Sequence, residues 1–485
     1  MLAFIDSVLA VVDSPWATAF LAIVGLATPF MAVGKWVLSR TEFEKKRRQN
    51  RLIKICAGTN KGQLPRDRLS ACTLRLYGDA VKKGLASVDA AYFKKTVFTQ
   101  EAAEYAPTKA EEMLLHFPIA TNPRWLLSRN PDFNMNLTLL RDQADFEEDL
   151  QKAQPFLKRF GVEKITDFLI ANSKEVYGQE EPKIWNAQTF DITRVIPREN
   201  GQVDLQFVRS DYFHYINYFY VCHKELENGI REKKAHQSLR AFDARRNFNI
   251  EEIVSGNETE LSVSAPVGVV AFALLKNCHG GYSTFIQKRG KAVAEWADLY
   301  SICPAGTFQP LDQFDMVSTR KQFSFEYTIL REFLEEHFDL PETEQTDETH
   351  VDPYDIFRQK INEEDLQAPG EVILDEADLE QLRRGCFTGN DKLKIIRTGL
   401  MIDMISLKPE VTAILLIDDE HVCDRLRALM KRDHWEGHFR EKEINREFFD
   451  FLADTLCVES FTSSGAVALA EGLHYWRTQL NGKLD

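Results

Sequence analysis

The segment 331-REFLEEHFDL-340 places one arginine and three glutamates, Arg331, Glu332, Glu335 and Glu336, within six positions of an otherwise apolar pattern. Leu330, Phe333 and Leu334 recur at the three- and four-residue spacing of one helix face, so the spacing predicts a helix. On a helix, residues three and four apart share a face. Glu332 therefore stands beside Glu335 and Glu336, and three carboxylates converge at one edge. An ordinary solvated face opposite a packed one is one reading of this pattern. The other is a set of hard oxygen donors for Mg2+ or Mn2+. The sequence on either side decides between them.

Upstream, "PVGVVAFALL" (266–275) reads as a buried strand, "CHGGYS" (278–283) as a turn, and "STFIQKRG" (283–290) as a second strand ending in Lys288 and Arg289. "WADLYSICPAGTF" (296–308) then leads through a short strand to Gly306. Downstream of the acidic helix, "KLKIIRTGLMIDMISLKPEVTAILLIDD" (392–419) gives two strands joined by a turn at Pro409, and "SSGAVALAEGLHYWRTQL" (463–480) a final amphipathic helix.

This order, with its residues, resembles the Nudix superfamily, whose signature is G-x5-E-x7-R-E-U-x-E-E-x-G-U with U apolar. Gly306 matches the opening glycine, Asp312 stands where the first glutamate belongs, and Arg331, Glu332, Phe333, Glu335 and Glu336 match the core. "QKR" (287–289) and "PAG" (304–306) match the usual lead-in. Two departures stand out. Eighteen residues, 313–330, separate Asp312 from Arg331 where the family has seven, and Phe338 replaces the family's glycine.

The resemblance implies a Nudix-like α/β/α sandwich with a mixed sheet over 191–485, its core at about 260–480 with an acidic insertion at about 340–390. It implies Mg2+ (or Mn2+) on Glu332, Glu335 and Glu336, with Arg331 fixing a carboxylate by charge-assisted hydrogen bonds. Gly306 would let backbone approach the phosphates, and Lys288 and Arg289 would contact them. The implied activity is hydrolysis of a nucleoside diphosphate linked to another group. The alternative is non-hydrolytic sensing of a cyclic oligonucleotide, as in transmembrane-Nudix effectors of bacterial antiphage defence of the CBASS type, with homo-oligomerisation on binding.

Residues 16–38, "WATAFLAIVGLATPFMAVGKWVL", carry one charge, Lys35, and match the roughly 20 residues that cross a bilayer core. A basic run between Arg40 and Lys54 follows, whereas Asp6 and Asp13 are the charges before it. The positive-inside rule predicts a single-pass anchor within residues 1–40, in the inner or plasma membrane, with the bulk of the chain cytoplasmic. Between 41 and 190 the three- and four-residue period, as in 142–178, predicts a mainly helical connector. At 190–221 the period changes to alternation, with a hairpin turn at Glu199-Asn200-Gly201. The expected class is thus α+β, with an N-terminal transmembrane helix and a helical middle. The stretch 340–355 is acidic and turn-rich and reads as a surface loop.

At 485 residues and a formal net charge of −14, from 60 Lys+Arg against 74 Asp+Glu, the chain has room for two to three domains but lacks the basic surface that duplex nucleic acid requires. Its eight cysteines contain no CxxC pair, which reads as reduced thiols rather than a disulfide frame or a zinc site.

Overall fold

A computed structural model of the chain describes residues 42–56, 64–77, 86–87, 117–143, 147–177, 186–232, 238–290, 298–310, 322–338, 353–362, 377, 392–430, 433–434 and 437–482. The strands in chain order are β1 Ala86–Ser87, β2 Ile119–Thr121, β3 Met135–Gln143, β4 Gln188–Pro197, β5 Val203–Asp211, β6 Thr259–Pro266 and β7 Gly268–Lys276. They continue as β8 Tyr282–Arg289, β9 Tyr300–Ile302, β10 Ala305–Thr307, β11 Leu393–Asp403, β12 Pro409–Ile417, β13 Asp433–His434 and β14 Gly437–Glu443. The chain divides into two compact units, Met1–Gly62 with Leu157–Pro182, and Gln63–Phe156 with Lys183–Asp485. In the first, described helices at 42–56 and Ile165–Ala171 bury Leu52, Ile55, Ile165 and Leu169.

In the second unit the apolar run at 268–276 becomes β7, buried nearly throughout, as a strand covered on both faces must be. It is the centre of a ten-stranded mixed sheet in the order β1-β2-β11-β12-β7-β8-β14-β13, with β10 on β7 and β9 on β8. β7 and β12 run parallel from Gly268–Glu410 to Leu275–Ile417, and the other pairs are antiparallel. Alternation sorts the faces. Val270, Phe272 and Leu274 pack with Ala466, Leu469 and Leu473 of the C-terminal helix Ser463–Gln479. Gly472 sits where any Cβ would overlap the Phe272 ring, so helix and sheet approach closely. The opposite face carries the acidic helix Phe325–Phe338, whose His337 ring centroid lies 4.6 Å from that of Phe285 in β8.

A second sheet has the order β3-β5-β4-β6. Its β4–β5 hairpin turns through Gly201 at φ +81°, where a Cβ would also overlap the Asn130 side chain. The aromatic-rich sequence after Asp211 leaves the strand for a helical run, Tyr212–Tyr215, Ile216–Tyr220 and Val221–Arg231, although its alternation had predicted continued strand. Asp211 starts that run by accepting from His214 N at 2.9 Å.

Four expectations are corrected. The middle region is not helical alone: among the described residues of 41–190, helices alternate with β1, β2, β3 and the start of β4. β2 pairs with Ile402 and Asp403 of β11, β3 runs parallel to β5, and β4 begins at Gln188. Pairings across such sequence distances leave little local pattern to read. The expected class is likewise replaced by a mixed α/β fold with two sheets. The single-pass anchor and its inner-membrane, cytoplasm-facing location are corrected too. Among the described residues no helix is long and apolar enough to cross a membrane, and 16–38 lies outside them. Finally, the loop expected over 340–355 ends in a helix, Pro353–Ile361, with Tyr354 and Phe357 buried.

Candidate active site

The site forms where β7 and β8 part. They pair only at Leu275–Ser283 and Lys276–Tyr282. Beyond that, β9 pairs with β8 at Ile286–Ile302 and β10 with β7 at Gly306–Val269, so residues 300–307 fill the fork. The acidic helix crosses this fork. Ser324 starts it, accepting from Tyr327 N at 3.3 Å, and its apolar positions Ile329, Leu330, Phe333 and Leu334 are buried.

The second sheet holds both ends of the arrangement. Phe190 of β4 donates its backbone N–H to Phe308 O at 3.0 Å, and the Phe190 and Phe308 rings lie 4.7 Å apart. Phe308 also meets Phe325, at 4.6 Å, so the segment just after Gly306 is clamped against the start of the helix. Glu326 is tied to Arg397 of β11 by two contacts of 2.8 and 3.0 Å, while Arg397 also donates to Met135 O in β3. Burial alone would raise the Glu326 carboxyl, but the Arg397 charge beside it and its hydrogen bonds bring it below the usual range. Cutting such a buried pair on one side leaves an uncompensated charge.

Arg331, Glu332, Glu335 and Glu336 take distinct places. Arg331 is buried, donates to Glu332 Oε1 and to Gln309 O at 3.2 Å, and lies 3.8 Å from Glu335 Oε2. Burial works against the guanidinium charge, and Glu332 and then Glu335 more than restore it. The Glu332 carboxylate rests on Gly306, where any Cβ would overlap it. Glu335 is the least covered of the three glutamates. Glu336 turns beneath β10, its Oε1 3.4 Å from Ala305 N, toward Cys303 and His337. Burial, and next the Glu336 charge, push the Cys303 thiol well above its ordinary value.

Of the basic pair, only Arg289 shares the face of the carboxylates. Phe285 meets His337 and Ile286 packs in the C-terminal-helix core, so alternation sends Gln287 and Arg289 to the acidic-helix face and Lys288 to the other. The Lys288 ammonium is 5.8 Å from the Tyr300 ring centroid. It is not brought to the site. Arg289 Nε is buried and has no hydrogen-bond partner among the described residues. Glu410 pairs with Gly268, one register position from Val269, and so lies on the face opposite Glu332. Asp312 lies outside the described residues. Phe338 is buried with its ring 6.1 Å from Phe333.

Hard donors for a Mg2+ or Mn2+ ion are available in Glu332 and Glu335, with Glu336 one position on. The absence of a side chain at Gly306 fits such a site, because it lets the carboxylate reach the strand backbone. Sequence reasoning did not find Cys303, His337 or Gln287 as site residues. Each stood inside a quoted segment, yet no spacing rule joins residues 287, 303 and 337. No protein-family model matches this chain, and no curated protein matches it.

Proposed function

We propose that this protein is a Nudix-like hydrolase acting on a nucleoside diphosphate linked to another group, with Mg2+ or Mn2+ on the carboxylates of the acidic helix. The supporting observation is the Glu332 carboxylate seated on Gly306 and bonded by Arg331. A divalent ion held there supplies charge neutralisation for the diphosphate and orientation of an attacking water. The chain's own part is preorganisation. Arg331 fixes Glu332 by a charge-assisted bond, so the donor needs no reorientation when substrate arrives. Arg289, on the same face, offers a guanidinium to phosphate oxygens. The apolar clamp of Phe308, Phe325 and Phe190 keeps helix and glycine strand at a fixed distance.

Incubation of the full chain with a panel of nucleoside diphosphate derivatives and Mg2+ tests this reading. Glu335→Gln, at the least covered position, is expected to keep the fold and lower turnover by about 100-fold. Absence of turnover with either ion, or turnover untouched by the substitution, removes the proposal. A cyclic oligonucleotide bound but not cleaved would instead turn the reading to sensing.

A further inference from the structure

Behind the glutamates the fork contains a second set of donors of a different kind. We infer that Cys303, Glu336 and His337 form a binding site for a thiophilic divalent cation, of which Zn2+ fits best. All three side chains are buried, and their ligand atoms lie within 4.8 Å of one another. Donors on a tetrahedral ion stand about 3.5 Å apart, so closing the set takes only side-chain adjustment of about 1 Å. Thiolate and imidazole select Zn2+ over Mg2+, whose hard oxygen preference leaves it no advantage here. One thiolate and one carboxylate neutralise a divalent charge, which is what a buried site requires.

The surroundings fit such a ligand set. The His337 ring is enclosed by Phe285, Phe333 and Phe439, at 4.6, 4.9 and 4.7 Å between centroids. These rings fix its orientation and keep the site dry. An independent pointer is Gln287. It is fully buried, and neither its Oε1 nor its Nε2 has a hydrogen-bond partner among the described residues. Its strand position is paired with Phe439, whose ring lies against His337, so its amide projects from the same face of the sheet. A buried amide with both ends unmet is costly, and oxygen ligation of a cation relieves it. Gln287 is thus the candidate fourth ligand. Three protein donors plus one further oxygen make up a four-coordinate site.

This inference needs no nucleotide and stands apart from the hydrolase reading, sharing only Glu336 with it. The test uses the full chain, freed of metal with a chelator and titrated with Co2+. One equivalent is expected to give thiolate-to-cobalt charge-transfer absorption in the near ultraviolet. Zn2+ should displace it and Mg2+ in large excess should not. Cys303→Ser should abolish the band while circular dichroism stays unchanged. Absence of the band, or its persistence in Cys303→Ser, overturns the site. Should that variant misfold, X-ray absorption of the Zn2+-loaded wild type decides: one sulfur ligand supports the assignment, and none or more than one overturns it. Absence of the cobalt band in the wild type with nucleotide hydrolysis retained would sink the metal assignment alone.

Discussion

Two of the histidines buried in the larger unit, His214 and His337, have neighbours that make them different chemical objects. His214, in the first turn after β5, has carboxylates at both ring nitrogens, Asp191 Oδ2 at 2.9 Å and Asp149 Oδ2 at 3.4 Å. Asp191 also accepts from Thr189 Oγ1 at 2.8 Å, and Asp149 accepts from Ser264 and pairs with Lys152 at 3.0 Å. Burial alone would lower the His214 imidazole, but the hydrogen bonds and charges of Asp149 and Asp191 raise it to about 9. His337 is buried as deeply, but among three phenylalanine rings, with a thiol and a carboxylate beside it. The first histidine is placed to hold a proton. The second stands among groups suited to a metal, which takes imidazole in its neutral form.

The largest effect that would break this contrast is at Asp191. Asp191→Ala leaves His214 charged against one carboxylate, and removing one partner of a buried pair costs roughly 3–5 kcal/mol. A urea midpoint little changed from wild type would show that the network is not held by charge.

Next in size is the pH dependence. The folded imidazole titrates at about 9, above its ordinary 6.5, so its stabilisation is complete below pH 6.5 and fades as pH rises toward 9. The shift corresponds to about 3 kcal/mol. The urea midpoint should therefore fall between about pH 6 and about pH 9, and Asp191→Ala should flatten that slope. An equally steep decline in the variant would assign the effect to other groups.

The smallest effect sharpens the other half of the comparison. Phe439→Leu removes one ring from around His337 at a stability cost of about 1 kcal/mol. Cobalt affinity should fall about 10-fold, as it does when the groups orienting a ligand are lost. Unchanged affinity would mean that the rings pack the histidine without orienting it.

Much of the core could be read directly from the chain. The buried run at 268–276, the hairpin around Gly201 and the apolar face of 325–338 each carry their own period. The approach of Arg331 to Glu335, four positions on, follows from helix geometry. Other features were out of reach because they are made by contacts between distant segments. β2 closes on β11 across some 280 residues, and Arg397 joins Glu326 to the carbonyl of Met135. Lys288 and Arg289 look alike as neighbours in sequence. The faces of β8 separate them, since alternation means something only once it is known what covers each face.

The amino-acid sequence by itself determined the acidic helix and the buried strand before it, because helix and strand periods are local properties of side-chain order. Only the tertiary structure decided which carboxylate meets which neighbour. Glu332 rests on Gly306, while Glu336, four residues further along the same helix, turns to Cys303 and a histidine ringed by phenylalanines. The reason is the fork between β7 and β8. Strand pairing opens it, residues 300–307 fill it, and the character of each donor set follows from what that filling brings within reach.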